Sequence, residues 1–318
     1  MFFDKEIEIL YTTKRKSKLG RKMTLKKIST ILLAIASLFC LERFCHKQTD
    51  GFKIRNLRIA PTSHQTSLPT EKELKIVKEI LSQPLTYIGR GGQCYAFTTK
   101  DNLHVVKLLK YNNNYPRIWF RLFPFPFGLE SYRQNKLTTK QKKLAGEYKS
   151  YEIAFSNLKE ETGIVFFHLE KTPIDLGTIE IQDKLRICHK LPANKYQFYI
   201  QKKGTPLYPG IEKMLQEGNL FSAKKAITEL VSFLVKRCEK KITDGDDGIW
   251  RNFAFQNNHP FQIDIGQFSY RETLANKEEY KKDLLFFTKD FYLWLSKTSP
   301  ELAQHLIDSI NTETDPSQ

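Results

Sequence analysis

Apolar and polar positions alternate with two different periods along this 318-residue chain. Between residues 222 and 240 apolar side chains recur every three or four positions, which predicts an amphipathic helix. Residues 71–81, 142–161 and 278–310 also have helical spacing, and the last of these is rich in aromatic residues. Shorter apolar runs at 104–109, 164–169 and 196–201 are typical of buried strands. This mixture of elements predicts an α+β fold.

An uncharged run of fourteen residues at 28–41 follows a basic segment at 1–27. The run is shorter than the roughly 20 apolar residues that cross a bilayer comfortably, and it matches the apolar part of a secretory signal. We therefore expect a signal-anchor or a removed signal peptide at 28–45, with the true start at Met1 or Met23. The polar, aperiodic residues 46–72 predict a linker. We therefore expect the chain to contact a membrane through 28–45. The sequence does not decide on which side of the membrane the rest of the chain lies.

The charge of the chain is strongly basic, at a formal net +16. Much of this excess lies before residue 28, and its basic residues are not interleaved with aromatic ones, so we expect no nucleic acid partner. Anionic lipid or a topogenic signal explains the basic block better. The five cysteines have no metal-ligand spacing and predict neither a zinc site nor a disulfide framework.

Candidate chemistry is concentrated in the loop from Asp244 to Asn252, which is followed by Asp264-Ile265-Gly266. Carboxylate and amide oxygens in a Gly-interrupted loop are the ligands that Mg²⁺ prefers, with substrate phosphate and water completing its shell. An Asp, four intervening residues and an Asn is also the spacing of a phosphotransferase catalytic loop, with a metal-binding Asp-x-Gly on the next strand turn.

The partners that such a loop requires precede it in the expected order. A Gly-rich turn, Gly89-Arg90-Gly91-Gly92-Gln93-Cys94, lies between two predicted strands, and Lys107 lies on the strand that follows. With these motifs the chain resembles the protein-kinase-like superfamily, which includes protein kinases, aminoglycoside-type phosphotransferases and lipopolysaccharide kinases. The resemblance implies a two-lobed fold, with a smaller lobe at 73–201, an insertion at 111–140 and a compact larger lobe at 202–318.

The resemblance also implies roles for individual residues. The backbones of Gly89, Gly91 and Gly92 would approach the phosphates of ATP, and Lys107 would hold the α and β phosphates. Asn252 and Asp264 would carry magnesium. The strand at 196–201, continuing into Lys202-Lys203-Gly204, would be the hinge that pairs with adenine.

Two assignments stay open at the level of sequence. The proton acceptor would be Asp247, which has the catalytic-loop spacing to Asn252, or Asp246, and we prefer Asp247. The partner of Lys107 would be Glu147 or Glu152, which are five residues apart and so cannot share a helix face, and we prefer Glu152. Because three acids of the loop lie close together, they cannot all ionise at low cost without a cation. The pKa of at least one of them should therefore be raised in the metal-free protein.

These expectations combine into an ATP- and Mg²⁺-dependent phosphotransferase. A small molecule, lipid or sugar hydroxyl is favoured over protein as the acceptor, because the larger lobe is short and no Ala-Pro-Glu motif follows Gly266. The alternative is a membrane-tethered, pseudokinase-type binding module without turnover, and a basic nucleic-acid-binding protein is a third, less favoured alternative. The binding module is favoured by Gly245-Asp246 where kinases carry His-Arg or His-Gly, and by Cys94 in the Gly-rich loop. The aromatic and proline-rich stretch at 115–127 would be a lid, a membrane-surface contact or a packed insertion.

Overall fold

The computed structural model describes residues 27–57, 69–110, 130–170 and 172–315. The chain forms two compact units, Met1–Phe52 and Lys53–Gln318. Helix α1 of the first unit, Lys27–Gln48, has 22 residues and is long and apolar enough to cross a membrane. It is longer than the uncharged run because it continues through Glu42 and Arg43. The predicted N-terminal apolar helix is therefore confirmed, with a length and composition that suit a membrane span and a signal sequence equally.

A seven-stranded sheet forms the first half of the second unit, in the order β4-β7-β3-β2-β1-β5-β6. Its strands are β1 (Leu85–Arg90), β2 (Cys94–Thr98), β3 (His104–Leu109), β4 (Ile164–His168), β5 (Thr178–Gln182), β6 (Cys188–Pro192) and β7 (Phe198–Lys202). All neighbouring strands are antiparallel except β1 and β5, which are parallel. The β5–β6 hairpin was not predicted.

Helix α2, Glu71–Leu81, starts with a capping box in which the Thr70 side chain and the Glu73 side chain each accept from the other's backbone N–H. Its apolar face buries Val77, Ile80 and Leu81. The helix contacts both β4 and β5, which are separated by four strands in the sheet order. The sheet therefore curls around α2.

Helix α3, Glu130–Asn157, is longer than the helix predicted at 142–161 and is shifted toward the N-terminus. Its first turns are formed by 130–140, which the sequence assigned to an insertion, whereas residues 111–129 lie outside the described residues. The chain then turns through Gly163, whose φ of +62° is a left-handed conformation that favours glycine, and enters β4.

The second half of the unit is mainly helical. Its helices are α4 (Leu207–Gln216), α5 (Leu220–Glu239), α6 (Ile249–Asn252), α7 (Lys277–Phe287), α8 (Lys289–Thr298) and α9 (Pro300–Glu313). The apolar faces of α4, α5, α7, α8 and α9 meet in one core, as the aromatic-rich tail predicted. The Asn219 and Asn276 side chains cap α5 and α7 by accepting backbone N–H bonds. A mixed helix and sheet fold is thus confirmed.

Two small sheets carry the loops of the predicted site. One contains β8 (Thr205–Pro206), β10 (Phe253–Gln256) and β11 (His259–Gln262), and the other pairs β9 (Ile242–Asp244) with β12 (Phe268–Tyr270). Asp244, at the end of β9, is opposite Phe268 in β12. This pairing holds the Asp244–Asn252 loop beside the turn at 263–267.

Candidate active site

A cleft of about 790 Å³ lies where the Gly-rich turn, β3, α3 and the two acidic loops meet. Its volume is in the range of small-molecule sites. Predicted site residues that line it are Gly91, Gly92, Lys107, Asp246 and Asp264. Of the other predicted residues, Gly89, Glu152, Asp247 and Asn252 do not line the cleft. The sequence order of the motifs therefore corresponds to a real convergence in space.

Lys107 is held by its position in the middle of the sheet, between Ala96 of β2 and Tyr199 of β7. Its ammonium group lies 5.3 Å from the centre of the Tyr199 ring and donates to the backbone carbonyl of Ile263 at 2.5 Å. Lys107 therefore spans the cleft and reaches the residue just before Asp264.

Helix α3 presents Glu147, rather than the preferred Glu152, to the cleft. Glu147 is 5% exposed and lines the cleft, whereas Glu152 is exposed. The reason is the apolar face of the helix, which buries Tyr148, Tyr151 and Ala154 against the sheet and places Glu147 on the same side. The spacing of the two acids does not show this, because the apolar residues of α3 fix the rotation of the helix.

The loop after β9 is folded by its own carboxylates. Asp244 accepts the N–H of Asp246 at 3.0 Å, and Asp246 accepts the N–H of Gly248 at 3.0 Å. These are local turns that an Asp side chain makes readily. The Asp246 carboxylate also accepts from the Arg251 guanidinium at 2.7 Å. Asp246 consequently faces the cleft, whereas Asp247 is exposed at the outside of the loop.

Opposing influences act on the ionisation of Asp246. Burial favours the neutral acid, but the hydrogen bond from Arg251 and the N–H of Gly248 favour the carboxylate, and together they lower the pKa of Asp246 below its usual value. The same contact raises the pKa of Arg251. Asp246 is therefore an ionised hydrogen-bond acceptor at neutral pH.

Asn252 is fully buried at the end of α6, close to the Asp246 backbone. Its amide nitrogen donates to the Asp246 carbonyl at 3.2 Å, but its Oδ1 atom has no hydrogen-bond partner within the described part of the chain. The Asn252 carbonyl accepts from the N–H of Ile263 at 2.7 Å, which ties α6 to the Asp264 turn. Asp264 in turn accepts the N–H of Gly266 at 3.2 Å.

A buried carbonyl oxygen without a donor is costly, so a cation is a suitable partner for Asn252 Oδ1. The described residues contain no cluster of three or more His, Cys, Asp or Glu side chains that could hold a metal without help. An amide and a carboxylate from Asn252 and Asp264, completed by substrate phosphate, would suit Mg²⁺, which is commonly bound in that way.

A buried polar network supports the loop from behind. The Gln262 side chain donates to the Asp244 carboxylate and to the Asp264 carbonyl at 3.1 Å, and it accepts from Arg237 at 3.3 Å. Gln262 and Arg237 are almost fully buried, and the Arg237 guanidinium lies 4.6 Å from the Phe287 ring centre. Neither residue was predicted from the sequence, although Gln262 precedes Asp264 by two and so lies on the same side of an extended chain.

Asp244 is the acid of this loop whose pKa is raised, to about 6. Burial is the main cause, the nearby Arg237 opposes it, and the charge of Asp264 adds to it. A raised pKa among the three neighbouring acids was expected, but mutual repulsion was expected to cause it. Partial burial of Asp244 is the larger effect.

The Gly-rich turn is closed by a hydrogen bond from the Gly91 N–H to the Cys94 carbonyl at 3.0 Å. The pairing of β1 and β2 is irregular between Tyr87 and Gly89, at the start of this turn. Burial raises the pKa of the Cys94 thiol, which is partly enclosed beside Lys107. The thiol is therefore held in its neutral form.

Of the predicted hinge, Tyr199 lines the cleft, whereas Lys202, Lys203 and Gly204 do not. The Lys203 N–H donates to the Leu103 carbonyl at 2.8 Å, and Thr205 pairs with Phe255. A Cβ atom on Gly204 would lie 2.7 Å from the Phe255 carbonyl oxygen, so glycine is required for this close approach. Among the described residues the cleft is thus lined mainly by the Gly-rich turn, α3 and the two acidic loops.

No family model and no curated protein matches this chain. Solved structures that resemble it include a crystal structure of WbdD, with 12% identity, a TM-score of 0.34, and coverage of 71% of this chain and 45% of WbdD. Another, described as the bifunctional kinase-methyltransferase WbdD, has 13% identity, a TM-score of 0.31, and coverage of 70% of this chain and 42% of WbdD.

The chain thus spans less than half the length of WbdD. The likeness is a distant one. The function is therefore inferred from the residues of this chain.

Proposed function

We propose that this chain is a phosphotransferase with a two-lobed, kinase-like fold that uses ATP and Mg²⁺ to phosphorylate a hydroxyl group of a small molecule, lipid or sugar. The observation that carries the proposal is the buried Asn252 Oδ1 atom, which has no hydrogen-bond partner in the described residues. The backbone carbonyl of Asn252 accepts from the N–H of Ile263, so this residue is held next to Asp264. A bound cation would satisfy the Oδ1 atom.

The Gly-rich turn, together with Lys107 of β3, would hold the phosphates. The backbone of the turn containing Gly89, Gly91 and Gly92 can come close to phosphate oxygens because no Cβ atoms intervene. Lys107 would exchange its bond to the Ile263 carbonyl for a phosphate. Glu147, from α3, would orient Lys107 in place of the Glu152 preferred from sequence.

Residues of the loop after β9 would bind and orient the acceptor. Asp246 lines the cleft, so it would accept a hydrogen bond from the acceptor hydroxyl and orient that oxygen. Arg251 would keep Asp246 ionised and aimed. Bound ATP would supply the phosphoryl group, with its charge shielded by Mg²⁺. Asp247, which the sequence spacing favoured as the proton acceptor, would take no part in the reaction.

The kind of acceptor follows from the segment between Gly266 and α7. This segment is completely described and contains only the short strand β12 before α7 begins at Lys277. It offers little chain on which an extended peptide could dock. A small hydroxyl compound, or the head group of a lipid or sugar, fits the open cleft better.

Helix α1 would tether the enzyme to a membrane, since it can span one by length and composition. Its large apolar side chains are exposed, as a lipid environment requires. A tethered enzyme would meet membrane-borne acceptors at a raised local concentration.

A binding module without turnover is the second candidate. It is favoured by the Lys202–Gly204 segment, which does not line the cleft and so offers adenine no open edge there. Such a module would bind Mg·ATP or a related phosphate and would transfer nothing to any acceptor.

Two substitutions at one position test the metal assignment. Asn252→Asp keeps an oxygen at the site, Asn252→Leu does not, and both remove the amide N–H that donates to Asp246. Mg·ATP should raise the melting temperature of the wild type and of Asn252→Asp, and should leave Asn252→Leu unchanged. Mg²⁺ alone should stabilise Asn252→Asp more than the wild type, because it would neutralise a buried carboxylate.

Mg²⁺-dependent stabilisation that persists in Asn252→Leu would show that the oxygen is not a ligand. A wild-type protein that Mg·ATP does not stabilise would contradict the proposal as a whole.

A further inference from the structure

Gln93, in the Gly-rich turn, has a side chain that reaches across the cleft. Its Oε1 atom accepts a hydrogen bond from the Tyr151 hydroxyl of α3 at 3.0 Å. Its carboxamide also rests on Gly266: a Cβ atom at Gly266 would lie 2.7 Å from Nε2 and 2.8 Å from Cδ of Gln93. Gln93 therefore joins the turn to the residue two positions after Asp264.

The polar groups around Gln93 also form hydrogen bonds within the protein. Lys107 donates to the Ile263 carbonyl, and Asp264 accepts from the Gly266 N–H. Gln93, Lys107, Asp264 and Gly266 all line one cleft. In this conformation the carboxamide of Gln93 occupies space between the turn and the Asp264 loop, which phosphate groups would need.

We propose that Gln93 is an affinity-determining residue of the cleft: it latches the Gly-rich turn onto Gly266 and Tyr151, and a nucleotide must displace it to bind. The identity of the displacing ligand as Mg·ATP rests on the function proposed above. The free energy that holds the latch closed lowers the apparent affinity for that ligand.

Tyr151 is a rigid anchor for the latch. It is 3% exposed, and its ring contacts those of Phe167 and Tyr199 at centroid distances of 6.0 and 5.9 Å. The turn on the other side has room to move, because a Cβ atom on Gly92 would meet nothing within 4 Å. A fixed donor and a movable acceptor are what a releasable contact requires.

The latch can be tested through Cys94, which adjoins Gln93 and lines the cleft. The rate of Cys94 alkylation by iodoacetamide would be measured by peptide mapping of the full chain in detergent. Two other thiols serve as internal references, since Cys188 is exposed and Cys238 is buried. Tyr151→Phe keeps the ring in the core and removes only the hydroxyl that donates to Gln93.

We expect alkylation of Cys94 to be about fivefold faster in Tyr151→Phe than in the wild type, which corresponds to the loss of one neutral hydrogen bond. The rates at Cys188 and Cys238 should not change. Gly266→Ala should have the same effect by pushing the carboxamide away. Its matched control is Gly146→Ala, since Gly146 also lines the cleft but an added Cβ atom would meet nothing within 4 Å.

Unchanged Cys94 rates in both Tyr151→Phe and Gly266→Ala would overturn the latch. A parallel rise at Cys238 would also overturn it, because the whole fold would then be loosening.

Mg·ATP affinity is measured on the same proteins and should be about fivefold tighter in Tyr151→Phe. If Cys94 responds but no protein binds Mg·ATP, the proposed function fails and the latch stands. If Mg·ATP binds equally to all variants while Cys94 stays unresponsive, the latch fails and the proposed function stands.

Discussion

The buried carboxylate of Asp244 should make the stability of the domain fall as the pH rises. Its pKa is about 6 in the folded protein against 3.8 for an ordinary Asp, so the folded state holds a proton that the unfolded state has lost between these values. Unfolding then releases a proton, and the free energy of unfolding decreases with pH. The contribution of Asp244 is complete below pH 4 and is lost as the pH rises through 6.

The size of the effect follows from the gap between the two values. About two pKa units, at about 1.4 kcal/mol each, amount to about 3 kcal/mol over the whole titration. Most of it should occur between pH 4 and pH 7. Asn cannot ionise, so Asp244→Asn should be insensitive to this part of the pH dependence. It will lose hydrogen bonds to Gln262 or Asp246, but that loss does not vary with pH.

The informative quantity is therefore the difference in unfolding free energy between the wild type and Asp244→Asn, measured from pH 4 to pH 8. Urea unfolding of a fragment that starts at Lys53 can be followed by circular dichroism. The variant should gain about 2–3 kcal/mol relative to the wild type across this range. Asp247→Asn removes the same charge from an exposed side chain. The difference in unfolding free energy between this variant and the wild type should vary much less with pH. A flat difference for Asp244→Asn would refute the reasoning.

Three further predictions concern the cleft and the helix before it. Lys107→Ala should abolish stabilisation by Mg·ATP with little change in the stability of the free protein, as thermal unfolding with and without nucleotide will show. Asp246→Asn should lower any phosphoryl transfer at least about 100-fold while Asp247→Asn retains it, and the reverse result would restore the register preferred from spacing. Deletion of residues 1–48 should release the protein from membranes in fractionation, and continued sedimentation with membranes would contradict the tether.

The elements that could be predicted from sequence are those with a strong local signal. The capped, amphipathic α5 was expected at 222–240 and is found at Leu220–Glu239. The strands β3, β4 and β7 also lie where their apolar runs are. Lys107 was predicted on a strand and lies on β3, where it lines the cleft, and its phosphate-binding role stays a prediction.

The residues that could not be predicted depend on rotation and long-range contact. Glu147 and Glu152 are five residues apart and so lie about 140° apart around the helix axis, and only the packing of Tyr148 and Tyr151 decides which of them faces the cleft. Asp246 and Asp247 are adjacent, and the Arg251 contact turns Asp246 inward. Gln93 has no local signal at all, since its partners are far away in the sequence.

The β5–β6 hairpin has a consequence for how the protein behaves in solution. Without it, β1 would be the last strand of the sheet, and its outer N–H and C=O groups at Leu85 and Thr86 would be unpaired. The hairpin pairs with β1 and moves the edge to β6, a five-residue strand that carries Lys190 and ends at Pro192. Short strands with lysine and proline resist pairing with another chain. The hairpin thereby protects the start of β1, at Leu85 and Thr86, from edge-to-edge pairing with another chain.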